Sequence, residues 1–528
     1  MTQTTRNFVA HNDMDALRKL HPRTPVLVGC GQLTDTLTPP DAARSPMDLL
    51  EDAARLAAHD AGLSSADLSR LDAISVLRLF SDSSPRFACP FGRADSPPHA
   101  LAGRLGASPN EALYTFAGGN MPQWLLNRYG EAIVNGDVEF ALVGGAQALR
   151  TTLAARRAGV ELDWNEAGPA CEEIGVATRG WNEHEEVHGM RTAIAMYPLL
   201  ENAIRAHRGR ALSDHADAMG RLFAGFAAVA KNNPYATRRE GYGERDITTV
   251  DGDNPMIGFP YPKLMNATAF VDQAAVVLMT SVEQAREMGV SPSRWVFVHG
   301  CADTVEHWYM SERVNYHTCA PMGVGGRQAL EMAGIGLGDI AHFDLYSCFP
   351  SAVELACQEL GLPEDDPRGL TVTGGLPFFG GPGNNYVTHS IATMMDRLRS
   401  DAGSYGLVTA NGNYATQHAF GVYSTRPVAG RWEREPIERY QHALDAREKA
   451  PFTEHPNGAA RVETYTVMHG RSGPELGIVV GRLLETGERF ISNLSVEVSA
   501  LDAFERHEGV GRHGAVHREG ERNIFVLG

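Results

Sequence analysis

A chain of 528 residues, 43% hydrophobic and 21% charged, has the make-up of a globular protein and is long enough for two or three cored domains. Its net charge of −17 argues against general nucleic-acid binding, and no apolar run approaches the roughly 20 residues of a membrane-spanning helix. Seven cysteines occur without a CxxC pair, which argues against a disulfide framework or a zinc ribbon and for a reducing, cytoplasmic setting.

Met1–Leu20 is polar and has no apolar h-region, so no secretory signal is expected. The first strand is Pro25–Cys30. Glu51–Val76 then reads as an alanine-rich helix, a glycine stop, a short loop and a strand. Met121–Asn135 is a helix leading into the strand-like run 136–145. Residues 150–265 form a helix-rich insertion, with Leu212–Ala230 its clearest amphipathic segment, placed to cover a substrate site. Ala274–Thr280 is a continuous apolar run, the pattern of a doubly buried strand.

From Trp295 the pattern starts again. Trp295–Gly300 is a strand, Arg327–Ser347 repeats the helix, glycine stop, loop and strand, and Val387–Ser400 leads as a helix into 402–412. Two copies of one β/α unit predict a layered α/β protein with two similar sheets. Residues 431–460 are charged and proline-punctuated, a linker or wrapping segment. Val462–His469, Leu476–Leu484 and Glu488–Leu494 read as three strands of a small β-rich, OB-like appendix.

Two glycine-rich turns flank the second copy's helix: T-G-G-L-P-F-F-G-G-P-G-N-N-Y from Thr373 and A-N-G-N-Y-A-T-Q-H-A-F-G from Ala410. Such turns let backbone N–H groups approach a ligand. With H-G-M-R (188–191), Y-P-L-L-E (197–201), K-N-N-P-Y-A (231–236) and Y-P-K-L-M-N-A (261–267), they make Pro25–Ser424 resemble the thiolase superfamily. The resemblance is to its sterol-carrier-protein branch and to type 1 thiolase-like proteins with an extra C-terminal domain. It implies an α-β-α-β-α thiolase fold: an N-terminal half over 1–285 including the loop domain at about 150–265, a C-terminal half over 286–428, and an additional domain over 429–528.

The resemblance further implies coenzyme A chemistry on an acyl-CoA or β-keto acid, with no metal, no nucleic acid and no membrane span. Most thiolases pair through a sheet edge, which leaves a homodimer open. Thiolases carry an acyl group on one cysteine, use a second as base and hold thioester oxygens in two oxyanion holes. Here the counterpart of the nucleophile falls on Gly119, in the turn before Asn120. The family's N-E-A-F or H-D-C-F loop reads Tyr346–Ser347–Cys348–Phe349, the G-H-P turn reads Gly380–Gly381–Pro382, and the C-x-G turn reads Ala410–Asn411–Gly412. The reactive side chains are replaced, so a covalent ping-pong route is not expected.

The candidate catalytic residues are Tyr346, Cys348 and His418. Tyr346 is a proton donor or a pocket wall, Cys348 a relocated nucleophile or a packing residue, and His418 a base, a CoA-phosphate contact or a structural partner. Gly119, Asn120, Gly381, Asn384, Asn411 and Gly412 are the candidate oxyanion and substrate contacts. The expected activity is an acetyl-CoA acetyltransferase-like C–C bond reaction by a non-standard route. The alternatives are a catalytically silent acyl-CoA or lipid-binding module and a retro-aldol lyase on an acyl-CoA.

One motif is set aside. His184–Glu185–Glu186–Val187–His188 spells H-E-x-x-H, but its polar flanks and Gly189 deny it the stable helix a zinc hydrolase needs, so a polar helix start or loop near the substrate mouth is expected. G-G-P-G-N-N lacks the G-K-[ST] of a phosphate loop, and G-C-G-Q-L-T lacks the full dinucleotide spacing.

Overall fold

The computed structural model describes residues 17–83, 87–495 and 498–528, so most of the segment read for a secretory signal, residues 1–16, lies outside the described residues. Ten strands form one mixed sheet in the order Ile340–Asp344, Tyr405–Gly412, Gln417–Ser424, Val296–Val305, Pro25–Thr34, Asp272–Ser281, Phe140–Ala148, Ala73–Val76, Glu111–Thr115 and Glu172–Ile174. The repeat seen in the sequence is its organising feature. Pro25–Thr34 and Val296–Val305 are the first strands of the two copies, and they meet in an antiparallel ladder at Val26↔Phe297 and Leu27↔Val296.

Matching helices cover the two half-sheets. Pro46–Asp60 starts at a capping box between Ser45 and Asp48 and buries its alanine face on the first strand, while Ala320–Ala333, which has no side-chain cap, packs a glycine-rich face on the first strand of the second half. Glycines permit the contact. A Cβ on Gly31 would stand 2.1 Å from the Ala53 carbonyl oxygen, and one on Gly300 would stand 1.9 Å from that of Ala329. Met121–Asn135 and Tyr386–Ser400 run between the half-sheets and touch strands of both, giving the five-layer order. The insertion is mostly helical, with Ala193–His207 and Leu212–Asn232 its longest elements.

The C-terminal appendix is a closed barrel. Gly458–Gly470, Gly473–Leu483, Arg489–Leu494, Arg522–Leu527 and His513–Glu519 pair in that order, and the last returns to the first. Helix Val498–Arg506 lies between the third and fourth strands of the chain, the connectivity of a five-stranded Greek-key barrel of the OB type. Tyr465, Val479, Phe490, Phe504 and Phe525 fill it. The segment at 431–460 wraps the second half. Buried Trp432 donates its indole N–H to the Val298 carbonyl at 2.9 Å, and Arg434 pairs with Asp303 at 2.6 Å.

Polar side chains fasten the barrel to the sheet layers. Fully buried Arg489 reaches the carbonyls of Arg313 and Val314, and Arg205 pairs with Glu508 at 2.5 Å. His188 of the H-E-x-x-H run accepts the Asn523 backbone N–H on Nε2 at 3.0 Å, and its Nδ1 faces the His184 carbonyl at 2.9 Å. Nε2 thus serves the domain contact while Nδ1 is held within the run itself. The run is a five-residue helix, Glu183–Val187, capped by Asn182, and buried Glu185 accepts the Ser311 N–H at 2.7 Å.

Burial holds His188 at a pKa of about 4, and His184, His299 and His418 are held at about 4 for the same reason. Their folded values lie below the unfolded 6.5, so the unfolded chain binds more protons between pH 6.5 and 4. Stability is then full above pH 6.5 and falls as the pH drops toward 4, with each histidine contributing up to about 1.4 kcal/mol per pH unit. Thermal unfolding between pH 7.5 and 4.5 should show a falling Tm below pH 6.5, and His188→Gln should lower Tm at pH 7.5 while flattening the acid limb.

Candidate active site

The Gly118–Gly119 turn, the glycine-rich turn from Ala410 and the Tyr346 loop meet where the half-sheets meet. The Gly118–Gly119 turn opens helix Met121–Asn135, and strand Tyr405–Gly412 delivers the second turn beside it. A Cβ on Gly119 would stand 2.3 Å from the Tyr346 hydroxyl oxygen and 2.5 Å from the Asn411 carbonyl oxygen. The phenol therefore fills the space from which a side chain at 119 would grow. This is why position 119 carries glycine. The Tyr346 backbone N–H is tied to Thr409 Oγ1 at 2.9 Å and its ring meets Tyr386 edge-on, but its hydroxyl makes no hydrogen bond among the described residues. Burial pushes that hydroxyl well above the usual phenol range, so it keeps its proton at neutral pH. The Gly119 N–H, part of the accessible lip of the turn, finds no acceptor among the described residues.

The other candidate residues hold the walls. Asn384 accepts the Gly118 N–H at 2.9 Å and donates to the Arg78 carbonyl at 2.8 Å, pinning the turn across the sheet junction. The Gly381 N–H is taken by the Thr268 carbonyl at 2.8 Å. Asn120 Oδ1 is buried without a donor, and it stands 2.2 Å from where a Gly412 Cβ would be. Cys348 is buried, its thiol pushed up to about 12 by burial, and its carbonyl accepts the Ala267 N–H. A protonated thiol is a poor nucleophile. His418 is buried and neutral; its Nε2 lies 3.2 Å from the Ala415 carbonyl and 3.4 Å from Cys319 Sγ. Tyr346 and His418 border one enclosed cavity of about 10 Å³, room for about one water.

The second turn carries strain that the sequence did not announce. Asn413, Tyr414 and Ala415 have φ of 48°, 58° and 58°, a left-handed run that costs about 1–2 kcal/mol per residue. Its clamps are specific. The Ala415 N–H reaches Asn411 Oδ1 at 3.1 Å and the Tyr197 hydroxyl at 3.2 Å, Asn411 Nδ2 donates to that hydroxyl at 3.0 Å, and Arg313 donates to the Tyr414 carbonyl at 2.9 Å. Tyr197, stacked on Phe349 at 4.6 Å, thus joins this turn to the Tyr346 loop. It belongs to the quoted Y-P-L-L-E run, yet only the fold reveals its role.

Comparisons with known proteins agree with this architecture. The chain aligns over 96% of its length with the whole of a monomeric SCP2-thiolase-like protein type 1 from Mycobacterium smegmatis, at 34% identity and a TM-score of 0.82. The fold is thus that of the thiolase superfamily. The chain belongs to its SCP2-thiolase-like type 1 family, and residues 440–521 match the family model for the thiolase-like protein type 1 additional C-terminal domain. A structure described as the Ltp2–ChsH2(DUF35) aldolase shares the fold at 18% identity and a TM-score of 0.54, covering 76% of this chain and 98% of that one. Among curated relatives, a 3-ketoacyl-CoA thiolase of Serratia proteamaculans is 30% identical over 161 residues, 28% of this chain, so the match spans about a third (35%) of that relative's length. Among the described residues no helix is long and apolar enough to cross a membrane.

Two substitutions check this geometry by chemical denaturation. Gly119→Ala should cost about 1–3 kcal/mol through overpacking, and less in a Tyr346→Phe background, because the hydroxyl is the nearest obstacle. Ala415→Gly should be neutral or stabilising by up to about 1 kcal/mol, the reverse of an ordinary buried alanine, because glycine relieves a positive φ.

Proposed function

We propose that this protein is an acyl-CoA-handling enzyme that makes or breaks a C–C bond beside a thioester or β-keto acid carbonyl without an acyl-enzyme. The observation that carries this reading is the Tyr346 hydroxyl, unpartnered and set 2.3 Å from the position of a Gly119 Cβ, in the space where a nucleophile's side chain would begin. In the cleavage direction the thiol of CoA attacks the β-carbonyl directly. The Cα–Cβ bond breaks, its electron pair stays on the α-carbon as a thioester enolate, and Tyr346 protonates that carbon. The phenolate regains its proton from the attacking thiol. The Gly119 and Gly412 N–H groups would hold the developing oxyanion, as preorganised donors do in acyl transfer. Asn120, Gly381, Asn384 and Asn411 shape the site, and His418 supports the strained turn.

Coenzyme A as the ligand rests on the thiolase relatives; a surface cleft of about 810 Å³ has the room, but its Arg208, Arg210 and Arg221 are matched by Glu364, Asp365 and Asp366 beside apolar Leu222, Phe226 and Leu370. Phe226 also packs against Gly375, next to Ser347 of the Tyr346 loop. A second reading, the silent binding module, is favoured by the closed cavity at Tyr346. A retro-aldol lyase would use the same hydroxyl on a β-hydroxyacyl-CoA.

The test is turnover of 3-oxoacyl-CoA and β-hydroxyacyl-CoA panels together with intact-mass measurement. Tyr346→Phe should lower kcat by about 10²–10⁴-fold with KM for the CoA ester nearly unchanged, and no acyl adduct should form. An adduct on Cys348 would overturn the non-covalent route. Saturable CoA binding without turnover of any substrate would select the binding module.

A further inference from the structure

Three helices bring two carboxylates and an imidazole together away from Tyr346. Glu201 lies on Ala193–His207, His215 on Leu212–Asn232, and Glu354 on Pro350–Leu360, the helix that follows Tyr346–Phe349 directly. All three side chains are buried to 1% exposure or less. Their inner atoms converge: one ligand atom from each lies within 4.8 Å of the others, His215 Nε2 being 2.5 Å from Glu201 Oε1 and 3.9 Å from Glu354 Oε1. Glu354 Oε1 has no hydrogen-bond partner.

The outer atoms are held from behind. Tyr261 donates to Glu201 Oε2 at 2.5 Å and stands 2.7 Å from Ser351 Oγ, while Arg208 donates to Glu354 Oε2 at 2.6 Å. Outer donors that orient inner oxygens are the usual surroundings of a metal ligand set. Arg208 is shared between Glu354 and Glu364, each at 2.6 Å, and Arg210 lies 3.8 Å from the other oxygen of Glu364.

We propose that Glu201, His215 and Glu354 bind a single divalent transition-metal ion, Zn²⁺ or a close analogue, as a structural clamp between the helical insertion and the helix behind Tyr346. The two charges of such an ion match those of the two carboxylates that would hold it. Carboxylate and imidazole ligands suit zinc at bonds of about 2.0–2.2 Å, and small side-chain movements from the present separations would reach that geometry. Arg210 Nη1 lies 3.5 Å from His215 Nδ1, and its partly exposed side chain can turn aside when Nδ1 carries the proton. The ligands stand at 201, 215 and 354 with no motif spacing, and only the packing of three helices brings them together.

The experiment is elemental analysis of the full chain purified from zinc-supplemented cultures, joined to Zn²⁺ and Co²⁺ titration of chelator-treated protein. The expected result is close to one equivalent of metal. Chelation should lower Tm and Zn²⁺ restore it, and Co²⁺ should give visible d–d absorption that Glu354→Gln and His215→Gln abolish. Metal below about a tenth of an equivalent, with no Tm response to Zn²⁺ or chelator, would overturn the site. Unchanged metal content in both variants would overturn it as well.

Discussion

Main chain and helix approach each other in this protein at separations that only a missing Cβ allows, and the layers depend on it. Gly31 on Ala53 and Gly300 on Ala329 set the two outer helices onto the first strands of the two copies in the same way. Gly119 does the same for the site, except that the guest is a phenol instead of a helix. A Cβ at Gly31 or Gly300 would push a whole layer outward, because the obstacles there are backbone atoms that cannot rotate away.

The repeat was legible because each copy states it in residues with strong local meaning: alanine-rich helices, glycine stops and β-branched strands. The barrel was legible in its first three strands for the same reason. Its last two were not. His513–Glu519 and Arg522–Leu527 each fully bury only one or two residues, and they gain their identity by closing a ring. The strand Glu172–Ile174 was equally hidden, being three residues long with two acids. In the site, spacing located Gly119 and the Tyr346 loop. It could not show that Asn384 grips the Gly118 amide from 266 residues away, or that the Tyr197 hydroxyl clamps a left-handed turn. Those contacts exist only once the two copies are folded together. The H-E-x-x-H run, expected at a substrate mouth, lies instead against the barrel, where His188 accepts the Asn523 N–H.

Strain and order are arranged unevenly around the Tyr346 hydroxyl. The turn at Asn413–Ala415 is held in a costly conformation by Arg313, Asn411 and Tyr197, and the Gly118 amide is held by Asn384. Among the described residues the Tyr346 hydroxyl, the Gly119 N–H and the buried Asn120 Oδ1 are left without partners. Clamped turns beside unpartnered polar groups are the distribution expected where a ligand completes the hydrogen bonding.

The short tenth strand has a further effect. Glu172–Ile174 runs parallel to Leu113–Thr115 and takes the hydrogen-bonding edge that Glu111–Thr115 would otherwise present. What it offers outward is two exposed acids, Glu173 among them, paired with Arg78 at 2.6 Å. A foreign strand arriving here meets charge and a three-residue ladder instead of an open row of amides. The sheet thus carries its own guard against templated aggregation, formed from a piece of the chain that folds back over its rim.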